Sequence, residues 1–291
     1  MTLMRNMNLF MALALASAIV ASSSSAIAAP AKSPNYTEYL TIDEVPDKPK
    51  AREPDNYDLI GDFKDPLPFQ WAQTLKKIAI NLLKWNLHEE KLPLPEEKYI
   101  RKLHFGRWIN DPADNTCMNT RARVLVRDSQ VPVSFKGTKK CVVEEGSWDD
   151  PYTGEVLTSS RQIQIDHMVP LKNAYVSGAW KWDYKTRCLF ANFMEYPGHL
   201  VSSEAKQNMS KGDRSPDGYM PPNITYRCEY LKHWLAVKML WRLSLTMDEA
   251  QAIHDTVNSL KCNPADFRFD VEEMKKTRQF IKDNIDFCVQ K

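Results

Sequence analysis

Asp166 and His167 are adjacent, with Pro170-Leu171 just beyond them; His199 follows, and Asn208 and Lys211 close the series ahead of Gly212-Asp213. Singly, an Asp-His pair reads as a surface pair, and an asparagine before Lys-Gly-Asp as a helix-end turn. Together they hold the parts needed to hydrolyse a phosphodiester. A neutral imidazole takes a proton from water near pH 7. Carboxylate and amide oxygens hold a hard divalent cation that offsets charge on a leaving oxygen. On that chemistry His167 is the candidate general base, and Asp166 and Asn208 are the candidate ligands of one divalent ion. Lys211 and the arginines are candidate anchors for phosphate as fixed charges. Neighbours on a strand point to opposite faces, so an Asp-His pair at a strand end would bring cation and base to a phosphate from different sides.

The elements that must position these groups are partly legible. Val124, Leu125, Val126, Val131 and Val133 predict strands over Cys117–Asp128 and Val131–Phe135, with another beginning at Lys140–Glu144. Asp150-Pro151-Tyr152-Thr153-Gly154 is a turn signal. Gln162–Ile165 alternates and resumes a strand, so a hairpin is expected to deliver Asp166 and His167 at its far end. A short helix from Leu171 to Ser177 should stop at Gly178. A second, capped by Ser202-Ser203, should run through Glu204–Asn208 and end near Gly212. Apolar spacing predicts helices over Phe69–His88, Glu229–Leu243, Met247–Leu260 and Val271–Ile285. The expected class is α+β. Trp180, Trp182, His104, His233 and His254 read as structural residues.

Asp166-His167-x-x-Pro170-Leu171, then His199-Leu200-Val201, then Asn208-x-x-Lys211-Gly212-Asp213 resembles the HNH nuclease motif. It is most similar to exported HNH proteins related to the C-terminal domain of GmrSD-type restriction enzymes. Thr120-Arg121-x-x-Val124-Leu125-x-Arg127-Asp128, Asp150-Pro151-Tyr152-Thr153-Gly154, Ser177-Gly178-Ala179-Trp180, Phe190-Ala191-Asn192 and Cys228-x-Tyr230 carry the same likeness. The resemblance implies a ββα-metal core with flanking helices, clasping one divalent ion, Mg2+ first and Mn2+, Ca2+ or Zn2+ as alternatives. It also implies cleavage to 5′-phosphate products. The position of His199 is usually asparagine in that family, and here three roles stay open: orienting His167, entering the metal shell, or packing. Arg121 matches the family's Thr-Arg element and is a candidate phosphate-binding residue, as is Arg161; a salt bridge of Arg121 to Asp128 or Asp114 is the alternative.

Composition bounds the rest. Met1–Asn8 with Arg5, the apolar run Leu9–Ala21 and Ala26-Ile27-Ala28 read as a cleavable signal peptide over 1–28, and hence a secreted or periplasmic protein. An extended leader over 29–68 follows, then an N-terminal helical segment over 69–107, a nuclease core over 108–242 and a C-terminal helical extension over 243–291. The six cysteines lack any C-x2-C pair, which favours disulfides over zinc; Cys117–Cys141 and Cys262–Cys288 are the preferred pairings. Net charge is only +2, but Arg101–Cys141 and Arg161–Arg242 are basic while Glu38–Pro66 is acidic. A basic body of this kind suits a polyanion on one face. The expected partner is therefore nucleic acid, DNA before RNA, bound through its backbone, with no stable membrane association. Two rival readings are a non-catalytic nucleic-acid-binding or scaffold protein and another exported phosphoesterase.

Overall fold

The computed structural model of the chain describes residues 56–58, 98–110 and 116–288. The expected signal peptide and the helix over Phe69–His88 lie outside the described residues. Short antiparallel strand pairs alternate with short helices, an α+β architecture. β1 (Asn56–Asp58) pairs with β6 (Arg268–Asp270). Next along the chain come α1 (Arg101–His104) and α2 (Thr120–Asp128). A hairpin follows, of β2 (Glu145–Asp149) and β3 (Val156–Ser159), and then β4 (Ile163–His167), α3 (Leu171–Val176) and α4 (Tyr184–Asn192). β5 (Leu200–Glu204) and α5 (Ala205–Lys211) complete the central unit, and α6 (Arg227–Leu240), α7 (Met247–Ser259) and α8 (Val271–Asp283) cover it.

α2 corrects the strand expected over Cys117–Asp128. Asn119 accepts a hydrogen bond from the Ala122 amide and so caps a helix there. The helix buries Thr120, Ala122, Val124 and Leu125 on one side. The helical penalty of a few valines is some tenths of a kcal/mol each, less than the gain from burying that face. Val131–Phe135 forms no strand; a single bridge joins Phe135 to Val143, and the ladder expected from Lys140 begins only at Glu145.

The hairpin expectation was half right. Asp150 closes the β2–β3 turn by accepting from the Tyr152 and Thr153 amides and the Thr153 hydroxyl, while Gly154 takes a φ of +80°. The strand that ends in Asp166-His167 does not pair with that hairpin, however. Ser159 and Gln162 form a reciprocal cap on one 3-10 turn, which leads the chain out of the β3 ladder. β4 pairs instead with β5, in a register running from Ile163 opposite Glu204 to His167 opposite Leu200. Ser202 and Ser203 therefore sit in a strand, and Glu204 caps α5 by accepting from the Gln207 amide.

Two apolar clusters support this unit. Ile163, Ile165 and Leu200 pack with Val124, Leu125, Trp148 and Leu157. The larger cluster runs from Phe105 through α3, α4 and α6 to Ile281, so α7 and α8 share a core with the residues before 243. Trp182 packs there against Phe190 and Trp241.

Three disulfides staple these layers. Cys117–Cys141 forms as expected. Cys262 instead joins Cys228 at the start of α6, and Cys288 joins Cys188 on α4. The expected Cys262–Cys288 link would have joined the two ends of the segment that holds α8; the fold instead ties the end of α7 to α6 and the segment after α8 to α4. Cys188–Cys288 closes a separation of 100 residues against 24 for Cys117–Cys141. Chain entropy assigns these loops about 4.7 and about 3.5 kcal/mol. Paired alanine replacement of Cys188 and Cys288 should therefore lower stability in urea unfolding more than replacement of Cys117 and Cys141. The reverse order would show that native packing, not loop closure, sets the contribution of each bridge.

Candidate functional site

Alternation along β4 sends Gln164 and Asp166 to one face and Ile163, Ile165 and His167 to the other. α5 lies against the first face. Its Asn208 and Lys211 are three residues apart, hence on one side of the helix. Asn208 Nδ2 donates to Gln164 Oε1 at 3.0 Å, and Lys211 Nζ donates to Asp166 Oδ2 at 2.5 Å. The helix stops because Gly212 takes a φ of +58° while its amide bonds to the Asn208 carbonyl. Asp166 and Asn208, forty-two residues apart in the chain, thus meet at one strand–helix interface.

Lys211 corrects the phosphate assignment. It is 0% exposed, and its ammonium donates to Asp166, to the His167 carbonyl at 2.8 Å and to the Met168 carbonyl at 2.9 Å. Those three acceptors use all three of its protons. The rings of Tyr230 and Trp234 lie 5.9 Å from the ammonium. Burial pushes the Asp166 carboxyl up and the Lys211 amine down, each opposed by the charge of the other. Asp166 Oδ2 also accepts from the Tyr152 hydroxyl.

His167 and His199 hang from the same helix end. His167 Nε2 donates to the Ala191 carbonyl at 2.9 Å and His199 Nε2 to the Phe190 carbonyl at 2.7 Å. The last carbonyls of a helix are short of partners within it, and the end of α4 takes both imidazoles, the Phe190 carbonyl also accepting from the Phe193 amide. A carbonyl only accepts, which places the proton on Nε2 of each ring and leaves a lone pair on each Nδ1. The His167 ring also stacks in parallel on Trp108, with centroids 5.1 Å apart. Burial holds its pKa well below the usual histidine range, so the ring is neutral near pH 7. His199 Nδ1 is buried with no hydrogen-bond partner, and its ring packs against Phe190, Phe193 and Trp241.

The arginines divide. Arg121 donates to the Ser160 and Ile163 carbonyls at 3.0 and 2.9 Å, pinning the turn before β4. Both bonds come from one terminal nitrogen of a partly exposed guanidinium; Asp128 is paired with Arg127 instead, and Asp114 lies outside the described residues. Arg161 stays exposed on the turn that Arg121 anchors. Three contributors escaped the sequence reading. Tyr152 was visible only as part of a turn string, Gln164 only as an alternating strand residue, and Trp108 had no signal beyond being aromatic.

The donor set suits a hard cation. Both donors to Asp166 land on Oδ2, leaving Oδ1 uncommitted, and Asn208 spends its amide nitrogen on Gln164, leaving its Oδ1 uncommitted. Oxygen ligands of this kind fit Mg2+, Mn2+ or Ca2+ better than zinc. Among the described residues no group of three or more His, Cys, Asp or Glu is placed to hold a metal.

Two stability effects follow. Lys211→Met leaves a buried carboxylate without its countercharge and should lower stability by about 3–5 kcal/mol in urea unfolding with EDTA present. Unchanged stability with weakened DNA binding would return Lys211 to the phosphate. For His199, burial above all lowers the pKa to about 3, whereas the unfolded chain titrates near its ordinary value, about 6.5. The unfolded state therefore takes up the proton first as pH falls. This contribution is intact above about pH 6.5 and drains at up to about 1.4 kcal/mol per pH unit below it. Urea unfolding across that range should give a shallower pH slope for His199→Asn than for the wild type; parallel slopes would remove His199 as the cause.

The family model described as GmrSD restriction endonucleases, C-terminal domain, matches residues 121–256. An "Uncharacterized secreted protein" of Arthroderma benhamiae is 38% identical over 165 residues, which cover 57% of this chain and 77% of that protein. No solved structure matches. With β4, β5, α5 and both imidazoles inside the matched span, the chain belongs to the family of the C-terminal domain of GmrSD restriction endonucleases.

Proposed function

We propose that the chain is an exported, metal-dependent HNH endonuclease that hydrolyses phosphodiester bonds of DNA, and of RNA secondarily, with little sequence preference. The observation that carries this reading is the meeting of Asp166 and Asn208 at one interface, each with an uncommitted side-chain oxygen. In this reading β4, β5 and α5 form the ββα-metal core, within a nuclease unit spanning 108–242. Asp166 and Asn208 hold one divalent ion, which when bound supplies positive charge for the leaving oxygen.

His167 acts as the general base. The Ala191 carbonyl fixes its tautomer, so Nδ1 carries the lone pair that accepts the proton of the attacking water. Trp108 limits rotation of the ring and keeps it partly dry. His167 leaves β4 on the face opposite Asp166, so the proton is taken on one side of the scissile phosphate while charge is offset on the other. His199 does not touch the reacting atoms; it packs beneath the site and occupies the neighbouring carbonyl of α4. Of the proposed phosphate contacts, Arg161 is an exposed cation on the turn before β4, and Arg121 beside it keeps part of its guanidinium for a phosphate.

Export is supported by the Arthroderma benhamiae relative, named a secreted protein, and by three disulfides, which persist in oxidising compartments. No helix among the described residues is long and apolar enough to cross a membrane.

Plasmid digestion tests the whole reading. Wild type should cut supercoiled DNA with Mg2+, stop with EDTA and resume when metal is restored. His167→Ala should lose about 10²–10⁴-fold in rate while keeping the wild-type circular-dichroism spectrum. Full activity in EDTA, or in His167→Ala, would defeat the assignment. A small phosphodiester and a phospholipid run in parallel separate a nuclease from another phosphoesterase.

A further inference from the structure

The proposal that Asp166 and Asn208 hold a divalent ion leaves open what makes them present the right oxygens. A carboxylate on a strand rotates about its terminal bond, and an asparagine amide presents either oxygen or nitrogen to a cation with a half-turn. In this fold each rotation is stopped by a specific neighbour that nothing in the family match assigns.

Tyr152 stops the first. It is fully buried, and its hydroxyl donates to Asp166 Oδ2, the oxygen already held by Lys211. Neither donor touches Oδ1. The tyrosine in turn is fixed from several sides. Asp150, itself buried, accepts from the Tyr152 amide and, through the same oxygen, from the Glu204 amide at the start of α5. Asn223 donates its side-chain amide to the Pro151 carbonyl and its backbone amide to the Tyr152 carbonyl. The ring lies 5.9 Å from those of Tyr226 and Tyr230. A residue that only filled space would need no hydroxyl here. Gln164 stops the second rotation. Its Oε1 accepts from Asn208 Nδ2, so the nitrogen of that amide is bound to the strand and the oxygen is left for a cation.

Resting on the metal-site reading above, the geometry points to Tyr152 and Gln164 as positioning residues for the ion, Tyr152 by clamping one oxygen of Asp166 and Gln164 by fixing the amide of Asn208. Partners of this kind behind a metal ligand typically carry about 10–100-fold in metal affinity. Both residues act through a ligand, and neither touches the ion.

The test is calorimetric titration of the full chain with Mn2+, without nucleic acid, for wild type, Tyr152→Phe, Gln164→Ala and Tyr219→Phe. Tyr219 is the control: its hydroxyl donates to Gln207 and its ring lies 6.2 Å from that of Tyr152. Tyr152→Phe and Gln164→Ala should each weaken Mn2+ binding by about 10–100-fold with unchanged circular dichroism, while Tyr219→Phe binds as wild type. Plasmid cleavage by the two weakened variants should recover as Mn2+ is raised, which a purely structural defect would not do. Gln164 is only partly buried, so its variant keeps the test open should Tyr152→Phe misfold. Wild-type affinity in Tyr152→Phe or Gln164→Ala overturns the positioning role while leaving the metal site standing. No Mn2+ uptake by the wild type overturns both.

Discussion

A lysine ammonium sealed inside the protein organises this fold. Lys211 is closed off from solvent, so the chain supplies its acceptors, and it does so from three consecutive residues: the Asp166 carboxylate and the carbonyls of His167 and Met168. Burying a charge is costly unless it is paired and hydrogen-bonded. The last residue of α5 is thereby bound to the end of β4, and only a chain path bringing those segments together meets the demand. The pairing of β4 with β5, and not with the nearer hairpin, satisfies it: β5 runs directly into α5 and lays that helix across the strand.

The same logic recurs at the end of α4. Helix ends leave carbonyls short of partners, and here two imidazoles donate to successive ones, Ala191 and Phe190, the latter shared with the Phe193 amide. A structural need of the helix thus sets the tautomer of His167, while Trp108 sets its tilt. The Cys188–Cys288 bridge joins that helix to the segment after α8, so the C-terminal helices steady the element from which both histidines hang.

Much of the site was legible because its chemistry is local. A carboxylate beside an imidazole, and an amide one helical turn before a lysine, are patterns of residue type and spacing that need no tertiary contact to be seen. The strand carrying Asp166-His167, the turn at Asp150–Gly154 and the helices over 227–240, 247–259 and 271–283 were also within reach of periodicity and turn chemistry. The errors share one origin. Val124 and Leu125 suggested a strand, but an asparagine cap and a buried face made a helix. Lys211 suggested phosphate because it is cationic, yet its ammonium is spent on the Asp166 carboxylate and two internal carbonyls.

By itself, then, the amino-acid order determined which groups are candidates for chemistry and the α+β class, and suggested one disulfide of the three, since all of these depend on residue type and near neighbours. Only the tertiary structure decided which strand β4 pairs with, that His199 packs and does not face solvent, and that Tyr152 and Gln164 stand behind Asp166 and Asn208. Those outcomes turn on where polar atoms find partners on other elements, nine residues away for His199, fourteen for Tyr152 and forty-four for Gln164, and such partners are chosen by desolvation in the assembled interior, which residue type and spacing do not reveal.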